Sequence, residues 1–510
     1  MNLARCVDDL LPQVDRPSRY MGGELHAVEK DWDETPVRFA LAYPDLYEVG
    51  MSHLGTQILY GILNGHPQCL AERVFSPAGD MEKLLREREV PLFSLESRRP
   101  VRDFDLLGIT LQYEMTYTNV LNLLSLASIP LRAEERGESD PFVVAGGPCV
   151  FNIEPMAPFF DFAVLGDGEE VSVEIVDTHL EWAGQGRPGG RRGFLEMVAE
   201  LEGVYVPSFY RPHYGGRGEF LGMESLRGAQ RILKRTVLDL TEAPFPIRPV
   251  VPFAEMVHDR AAVELFRGCT RGCRFCMAGM VYRPVRERKP EAVVDLCYET
   301  VGNTGYSEVS LSSLSSTDYS GIEEVMDELT ERFARSRTSV SLPSLRIDEF
   351  SVKMAQKVRE VRQTGITLAP EAGTQRLRDV INKGVSEEDF VNSLKAAFAS
   401  GCDTVKLYFM IGLPTEKDED VRGIVSLVRS ARELYHTFRE SRRRLRINLS
   451  VACFIPKPHT PFQWEPQLSV EEFQRRIQLL QDELPRRGVK FSWHEPGMSL
   501  IEGVLSRGDR

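Results

Sequence analysis

The sequence predicts an α/β protein in two parts: a doubly wound parallel sheet, then a partial barrel of six β/α units. Three observations carry that prediction. Apolar runs of four to seven residues alternate with stretches of helical period, the pattern of strands covered on both faces. The alternation occurs twice, over residues 37–182 and 259–490, on either side of a stretch rich in Gly, Pro and Arg. A length of 510 residues exceeds one ordinary core, so two or three domains are expected.

Residues 1–36 precede the first strand as an N-terminal extension. "VRFALAYP" opens the first series and "SHLGTQILYGILNG" is its helix; "AERVF" with "DMEKLLRERE" and "DLLGITL" with "TYTNVLNLLSLAS" follow. "FVVAGGP" and "DFAVLGDGEE" complete the series, the latter running into the helical "VSVEIVDTHLEW". Glycines read as following strand ends at Gly108, Gly146, Gly147, Gly166 and Gly168. In such sheets ligands sit outside the carboxyl ends of the strands.

Residues 183–258 read as an irregular linker. "GQGRPGGRRG" is expected to be an exposed loop, and "VYVPSFYRP" and "LKRTVLDL" to be short strands. "EAPFPIRPVVPF", with four prolines, reads as extended chain.

The second series has strand candidates "AAVELF", "EVSLSSL", "SVSLPSL", "GITLAP", "TVKLYFMIG" and "RINLSVACF", separated by helical stretches that include "PEAVVDLCYETVG", "SVKMAQKVREV" and "SVEEFQRRIQLLQDEL". Six units are two short of a closed eightfold barrel. Residues 491–510 form a C-terminal extension, and the arginine-rich end suggests a C-terminal continuation or a neighbouring partner domain.

Composition narrows the function classes. Hydrophobic residues at 42% and charged residues at 27% describe a soluble globular chain. A net charge of −13 argues against nucleic-acid binding by overall charge, although an acidic average can hide a local basic groove. The N-terminal "MNLARCVDDLLPQVDRPSRY" lacks the apolar core of a signal peptide, and "VLNLLSLASIPL" is too short to span a bilayer. A cytoplasmic location is therefore expected, and nine cysteines, an odd number, are not a disulfide framework there.

Cys269, Cys273 and Cys276 stand in "VELFRGCTRGCRFCMAGMVYR" with spacing C-x3-C-x2-C, directly after a strand. That places them in a loop at the carboxyl end of the first barrel strand, where barrel active sites are built. Soft thiolates favour iron–sulfur clusters, zinc or copper(I). Structural zinc usually takes four closed ligands, and no fourth Cys or His lies nearby in sequence. Three thiolates on an iron cubane leave one iron open to a substrate or cofactor. Gly268 and Gly272 permit the tight backbone wrapping that three ligands from one loop require.

The cysteine spacing, with aromatic Phe275 before the last cysteine, resembles the signature of radical S-adenosylmethionine (SAM) enzymes, whose fold is a partial barrel of six β/α units. The resemblance implies a [4Fe–4S] cluster on Cys269, Cys273 and Cys276, SAM on the fourth iron, and one-electron cleavage of SAM to a 5′-deoxyadenosyl radical. It also implies an electron donor such as a flavodoxin or ferredoxin. "SLSSLSSTD" (310–318), with Ser313, occupies the place of the family's Gly-Gly-Glu segment for the SAM amino group, but carries serines. "APEAGTQ" (369–375) resembles the segment that touches the SAM ribose and carboxylate, with Glu371 and Gly373 as candidates. "YFMIGLPTE" (408–416) resembles the Gly-x-Pro segment near adenine, here Gly412 and Pro414. "FIPKPHTPFQW" (454–464) resembles a Pro-rich loop of the subfamily that contains methylthiotransferases.

The first series resembles the N-terminal domain of cobalamin-binding radical SAM proteins, which carries Gly-Gly-Pro and Gly-(Asp/Glu)-Gly-Glu in this order. Gly108, Gly146, Gly147, Gly166, Gly168 and Glu169 are the corresponding cobalamin candidates. The ligand motif Asp-x-His-x-x-Gly is absent: "GMSHLG" offers His53, which reads better as a helix-start residue. Some proteins of that class bind cobalamin without a histidine, so two readings stay open: a cobalamin domain, or one that packs or recognises substrate without it. Most of the chain, "YPDLYEVGMSHLGTQILYGILN" included, resembles an uncharacterised radical SAM family of this arrangement.

Cys6, Cys69 and Cys149 could be proposed for a second, methylthiotransferase-like cluster, but scattered cysteines are mostly small buried hydrophobes. "ESRRRLRIN" (440–448) reads as a solvated helix end rather than an RNA patch, because no aromatics interleave with it. Glu114, Tyr113, His459 and Trp464 are polar or aromatic candidates at loop ends. Three functions follow: a radical SAM enzyme, cobalamin-assisted or not; a methylthiotransferase-like enzyme acting on RNA or protein; and a non-catalytic metal module for assembly or sensing. The sequence names no substrate.

Overall fold

A computed structural model describes residues 3–342, 366–399, 401–438 and 444–510. The chain divides into two compact units, one of Met1–Leu238, Glu242–Asp259 and Gly508–Arg510, the other of Asp239–Thr241 and Arg260–Arg507.

The first unit is built on a six-stranded sheet: β1 (Val37–Tyr43), β2 (Cys69–Phe75), β3 (Leu106–Thr110), β4 (Phe142–Gly146), β5 (Phe162–Val164) and β6 (Val204–Tyr205). Its order is β2-β1-β3-β4-β5-β6; the first five strands run parallel and β6 pairs antiparallel with β5. β1 and β2 are buried nearly end to end, as strands with helices on both faces must be. After β2 the winding reverses and continues at β3, so the topological switch point lies between β1 and β3.

The helix Leu54–Gly65 starts at His53, whose ring accepts the Thr56 N–H at 3.1 Å, so His53 is the helix cap read from sequence. Two groups of buried charges are paired inside this unit. Arg73 lies between Glu24 at 2.8 Å and Glu96 at 2.6 Å, and Asp161 lies between Arg136 at 2.7 Å and Arg191 at 2.9 Å.

Some local expectations change. Gly108 does not follow a strand end; it sits in the middle of β3, where a Cβ would come within 2.7 Å of the Phe39 ring. "GQGRPGGRRG" ends inside the helix Gly190–Val198, because Arg191 is drawn in to Asp161 and to the Asp140 carbonyl. "LKRTVLDL" forms no strand; Arg235 makes a single parallel bridge to Gly166. "VYVPSFYRP" does supply β6 and the start of β7 (Tyr210–Tyr214), which forms a hairpin with β8 (Phe220–Ser225). The proline-rich run is extended and packed on this unit. Val251 bridges to Leu25, the Val250 N–H donates to Gln57 at 3.2 Å, and the Pro249 carbonyl meets the His26 ring at 3.1 Å.

In the second unit β9 (Ala261–Glu264) leads to a two-residue strand pair, β10 (Phe266–Arg267) and β11 (Arg286–Glu287). Then come β12 (Glu308–Ser312), β13 (Ser339–Ser341), β14 (Ile366–Glu371), β15 (Thr404–Ile411), β16 (Arg446–Cys453) and β17 (Val489–Trp493). Helices Pro290–Thr304, Ile322–Phe333, Glu387–Ala399, Asp418–Thr437, Val470–Glu483 and Pro496–Arg507 alternate with them. Among the described residues the parallel strands form two sheets, β13-β12-β9 and β14-β15-β16-β17.

β17 pairs in register with β16, so residues 491–493, the start of the stretch read as a C-terminal extension, belong to the four-stranded sheet. The expected helical stretch "SVKMAQKVREV", the end of "SVSLPSL" and part of "ESRRRLRIN" lie outside the described residues. Leu407, Phe409, Ile411, Leu449 and Val451 form the centre of the core under the helix Asp418–Thr437.

Candidate metal and cofactor site

The site begins where β9 ends. Backbone pairing of β10 with β11 makes residues 268–285 a closed hairpin loop, and all three cysteines lie in it. Gly268 has φ +96°, and a Cβ there would sit 2.8 Å from the carbonyls of Tyr282 and Pro284, so only glycine fits the neck. Gly272, at φ +70°, turns the chain again between Cys269 and Cys273.

The loop is fastened to the far side of the same unit. Arg274 donates its N–H to the Ile381 carbonyl at 3.0 Å, Asn382 Nδ2 donates to the Gly272 carbonyl at 3.0 Å, and the Phe462 N–H donates to the Arg274 carbonyl at 3.3 Å. Phe275 packs against a small core that contains Ala372, Leu377, Ile381, Leu413, Phe454 and Phe462. The candidate segments after β14, β15 and β16 therefore meet the cysteine loop through one aromatic side chain. Arg271, also on the loop, is ion-paired with Asp318 in the serine-rich segment after β12.

All three cysteines are free and half-buried. Burial pushes the Cys273 and Cys276 thiols above the usual cysteine range. The neighbouring thiols push in the same direction, and the Lys383 ammonium pulls both back. The N–H groups of Gly279 and Ala278 also favour the charged form of Cys276. Lys383 forms an ion pair with Glu371 at 3.1 Å. Glu371 is the last residue of β14, past a break in its register with β15, and holds φ +67°, a conformation that a non-glycine residue adopts only when its surroundings impose it.

The sequence candidates separate into two kinds. Glu371 presents a carboxylate beside the thiol loop, and Ser313 hydrogen-bonds Ser316 at 2.9 Å in a hydroxyl cluster where Thr317 Oγ1 is buried without a partner among the described residues. Gly373, Gly412 and Phe275 are built into the scaffold. A Cβ on Gly373 would sit 2.2 Å from the Asp420 carbonyl, and one on Gly412, at φ +83°, would sit 2.5 Å from the Phe473 ring. Pro414 is half-buried in the loop after β15. Burial raises the nearby Glu416 carboxyl to about 7, against the Gly412 N–H and the Arg476 guanidinium, both of which it binds. Lys383 and Asn382 were missed in the sequence reading; the only signal was their place, "INKG", after the Glu371 segment.

In the first unit, Gly166 and Gly168 also have packing reasons. A Cβ on Gly166 would sit 2.0 Å from the Arg235 carbonyl, and Gly168 faces Leu59. Glu169 is buried at the start of its helix. Gly146 is different: it ends β4 with nothing within 4 Å of a Cβ position. Gly147 follows at φ +97°, close to Leu111 and Gln112 after β3. His53 stands at the same switch point, its ring 5.3 Å from that of Tyr43, and burial drives its imidazole down to about 4. Tyr113 is exposed and Glu114 buried in this unit; in the second, Trp464 is exposed and His459 holds φ +60°.

Residues 263–428 match the family model described as "Radical SAM superfamily", and residues 55–207 match "Radical SAM proteins, N-terminal"; together these cover more than half of the chain. An uncharacterised protein of Methanocaldococcus jannaschii is 28% identical over 92% of this chain and 88% of its own. A tRNA-2-methylthio-N(6)-dimethylallyladenosine synthase of Pelotomaculum thermopropionicum is 26% identical over 51% of this chain and 58% of its own length. Among solved structures, the radical SAM methyltransferase TsrM of Kitasatospora setae, with cobalamin and a [4Fe–4S] cluster bound, aligns with a TM-score of 0.53 at 15% identity, over 86% of this chain and 78% of that one. The cobalamin-dependent radical SAM enzyme OxsB aligns with a TM-score of 0.52 at 12% identity, over 92% of this chain and 66% of that one. At such identities the likeness is one of fold.

The family uses a [4Fe–4S] cluster and SAM, and the donor set fits both. Among the described residues no three Cys, His, Asp or Glu side chains converge on one point as a single ion needs. The three thiols nonetheless sense one another's charge from one loop, and a carboxylate, a lysine and an unsatisfied hydroxyl border the loop or the segments joined to it.

Proposed function

We propose, on the premise that this chain belongs to the radical SAM superfamily, that it cleaves SAM reductively at a cluster held by Cys269, Cys273 and Cys276 and uses cobalamin bound in its first unit to act on a further substrate. The observation that carries the reading is the glycine-necked hairpin loop with three free thiols, fastened to Ile381, Asn382 and Phe462. When bound, the cluster and SAM supply the one-electron chemistry that yields a 5′-deoxyadenosyl radical.

This chain's residues do the rest. The three thiols hold the cluster, which requires them deprotonated; burial disfavours that, and the Lys383 ammonium and the N–H groups near Cys276 favour it. Glu371 and the Ser313–Ser316 cluster offer hydrogen-bond partners to the polar groups of SAM. Gly373, Gly412 and Phe275 fix the loops around them.

Support for cobalamin comes from the switch point of the first unit, where Gly146 is open and Gly147 needs its positive φ, together with the fold shared with TsrM and OxsB. Among the described residues no helix is long and apolar enough to cross a membrane; a cytoplasmic location and a flavodoxin- or ferredoxin-like donor belong to the same proposal.

The relative from P. thermopropionicum favours a second reading, a methylthiotransferase-like enzyme with another cluster. Cys69 and Cys149 weigh against it. Cys69 is the first residue of β2 and Cys149 follows the carboxyl end of β4, so in a parallel sheet they lie at opposite edges. Burial also drives the Cys69 thiol up to about 12.

The test is anaerobic reconstitution with iron and sulfide, incubation with hydroxocobalamin and gel filtration. Corrin absorbance that travels with the protein, with about four irons per chain, is expected. Protein without corrin contradicts the cobalamin part, and about eight irons per chain favours the second reading.

A further inference from the structure

We infer that Lys383 and Glu371 form a charge pair that sets the reduction potential of the cluster, with Lys383 the positioning residue that raises it. This rests on the cluster assignment above and deepens it. The lysine is held by the backbone beside it. Asn382, at φ +53°, donates to the Gly272 carbonyl at 3.0 Å; Ile381 accepts from the Arg274 N–H at 3.0 Å; and the Lys383 N–H donates to the Arg378 carbonyl at 3.0 Å. The residues immediately before Lys383 are therefore bonded to the loop between and beside the cysteines, which holds the base of the lysine side chain at the loop, and the ion pair with Glu371 holds its ammonium.

Its direct partner, Glu371, is pinned at 3.1 Å by the bulged, left-handed end of β14. Both side chains are only about a fifth exposed, 20% and 17%, which limits solvent screening. Reduction of a [4Fe–4S] centre adds one electron, supplied by dithionite or by a low-potential flavin or iron–sulfur donor, and so adds one negative charge to the site. A fixed cation stabilises that charge and a fixed anion opposes it. Lys383→Met therefore makes the cluster harder to reduce, Glu371→Gln makes it easier, and the double variant returns towards the starting potential.

The test is a redox titration of reconstituted protein without SAM, followed by the EPR signal of the reduced cluster, with iron content measured on the same samples. Expected are a fall in potential for Lys383→Met, a rise for Glu371→Gln, little change for Lys383→Arg, and partial cancellation in Lys383→Met/Glu371→Gln. Unchanged potentials in both single variants at full iron content overturn the inference, as does a shift of the same sign in both. Should Lys383→Met lose its iron, the rise expected for Glu371→Gln still decides the sign. A wild-type chain that binds no iron under these conditions defeats the cluster assignment instead, so the two failures are distinguishable.

Discussion

In the first unit Arg73 lies fully inside the protein with Glu24 and Glu96 at 2.8 and 2.6 Å, and Tyr47 donates to the same Glu24 at 2.8 Å. In the second unit Lys383 has Glu371 at 3.1 Å, yet it also faces thiols that burial holds above their ordinary range. The first arrangement satisfies its own charges and contributes to holding a sheet together. The second gathers a cation, a carboxylate and three free thiols around backbone that is itself constrained at Gly268, Gly272 and Glu371. Local rules of stability are broken in proteins where a ligand or a reaction repays them, and Gly268, Gly272 and Glu371 are such breaks on or beside the cysteine loop.

The largest expected effect tests that contrast at the thiols. Replacing Cys269, Cys273 and Cys276 together by Ala should cut reconstituted iron from about four per chain by at least about tenfold while far-UV circular dichroism stays unchanged. Iron retained in the triple variant would place the metal elsewhere.

Next, Arg73→Met leaves Glu24 and Glu96 buried without their cation and should destabilise the first unit by about 3–5 kcal/mol in urea unfolding, whereas Lys383→Met should cost at most about 1 kcal/mol. Equal costs would erase the distinction between the two charge groups.

Glycines sharpen it further. Gly373→Ala drives a methyl into the backbone at Asp420 and should cost about 1–3 kcal/mol. Gly146→Ala meets open space, so stability should stay within about 0.5 kcal/mol while any change in corrin binding reports on the ligand.

A further effect is in pH. The folded chain keeps His53 neutral down to about 4, whereas an unfolded chain protonates it near 6.5. The associated stability is present above 6.5 and is lost as pH falls towards 4, on the order of 3 kcal/mol. His53→Asn, which retains a helix-capping side chain, should flatten the slope of unfolding free energy between pH 7 and pH 5. An unchanged slope would show that the imidazole titrates normally.

Much of the fold was legible because strands such as Val37–Tyr43 and Thr404–Ile411 are short apolar runs bounded by Gly, Pro or charged turns. β6 was readable, but the helix Gly190–Val198 was not: its first turn is "GRRG", and what makes it helical is the distant Asp161 that takes Arg191. The site divides in the same way. The thiols announce themselves by spacing, and Glu371 by the resemblance of its segment, "APEAGTQ", to one of the family. Gly108, Gly166, Gly373 and Gly412 have the composition of ligand loops, yet they are glycines because Phe39, Arg235, Asp420 and Phe473 press on them, which no local pattern reveals. Lys383 was invisible for the complementary reason, since its role depends on Asn382 meeting Gly272, 110 residues away.

The most direct test of the central claim is to reduce the reconstituted chain anaerobically with dithionite in the presence of SAM and to quantify 5′-deoxyadenosine and methionine. Formation of both, abolished in the triple cysteine variant, is the predicted result. A chain that carries a full cluster yet leaves SAM intact under reduction would contradict it.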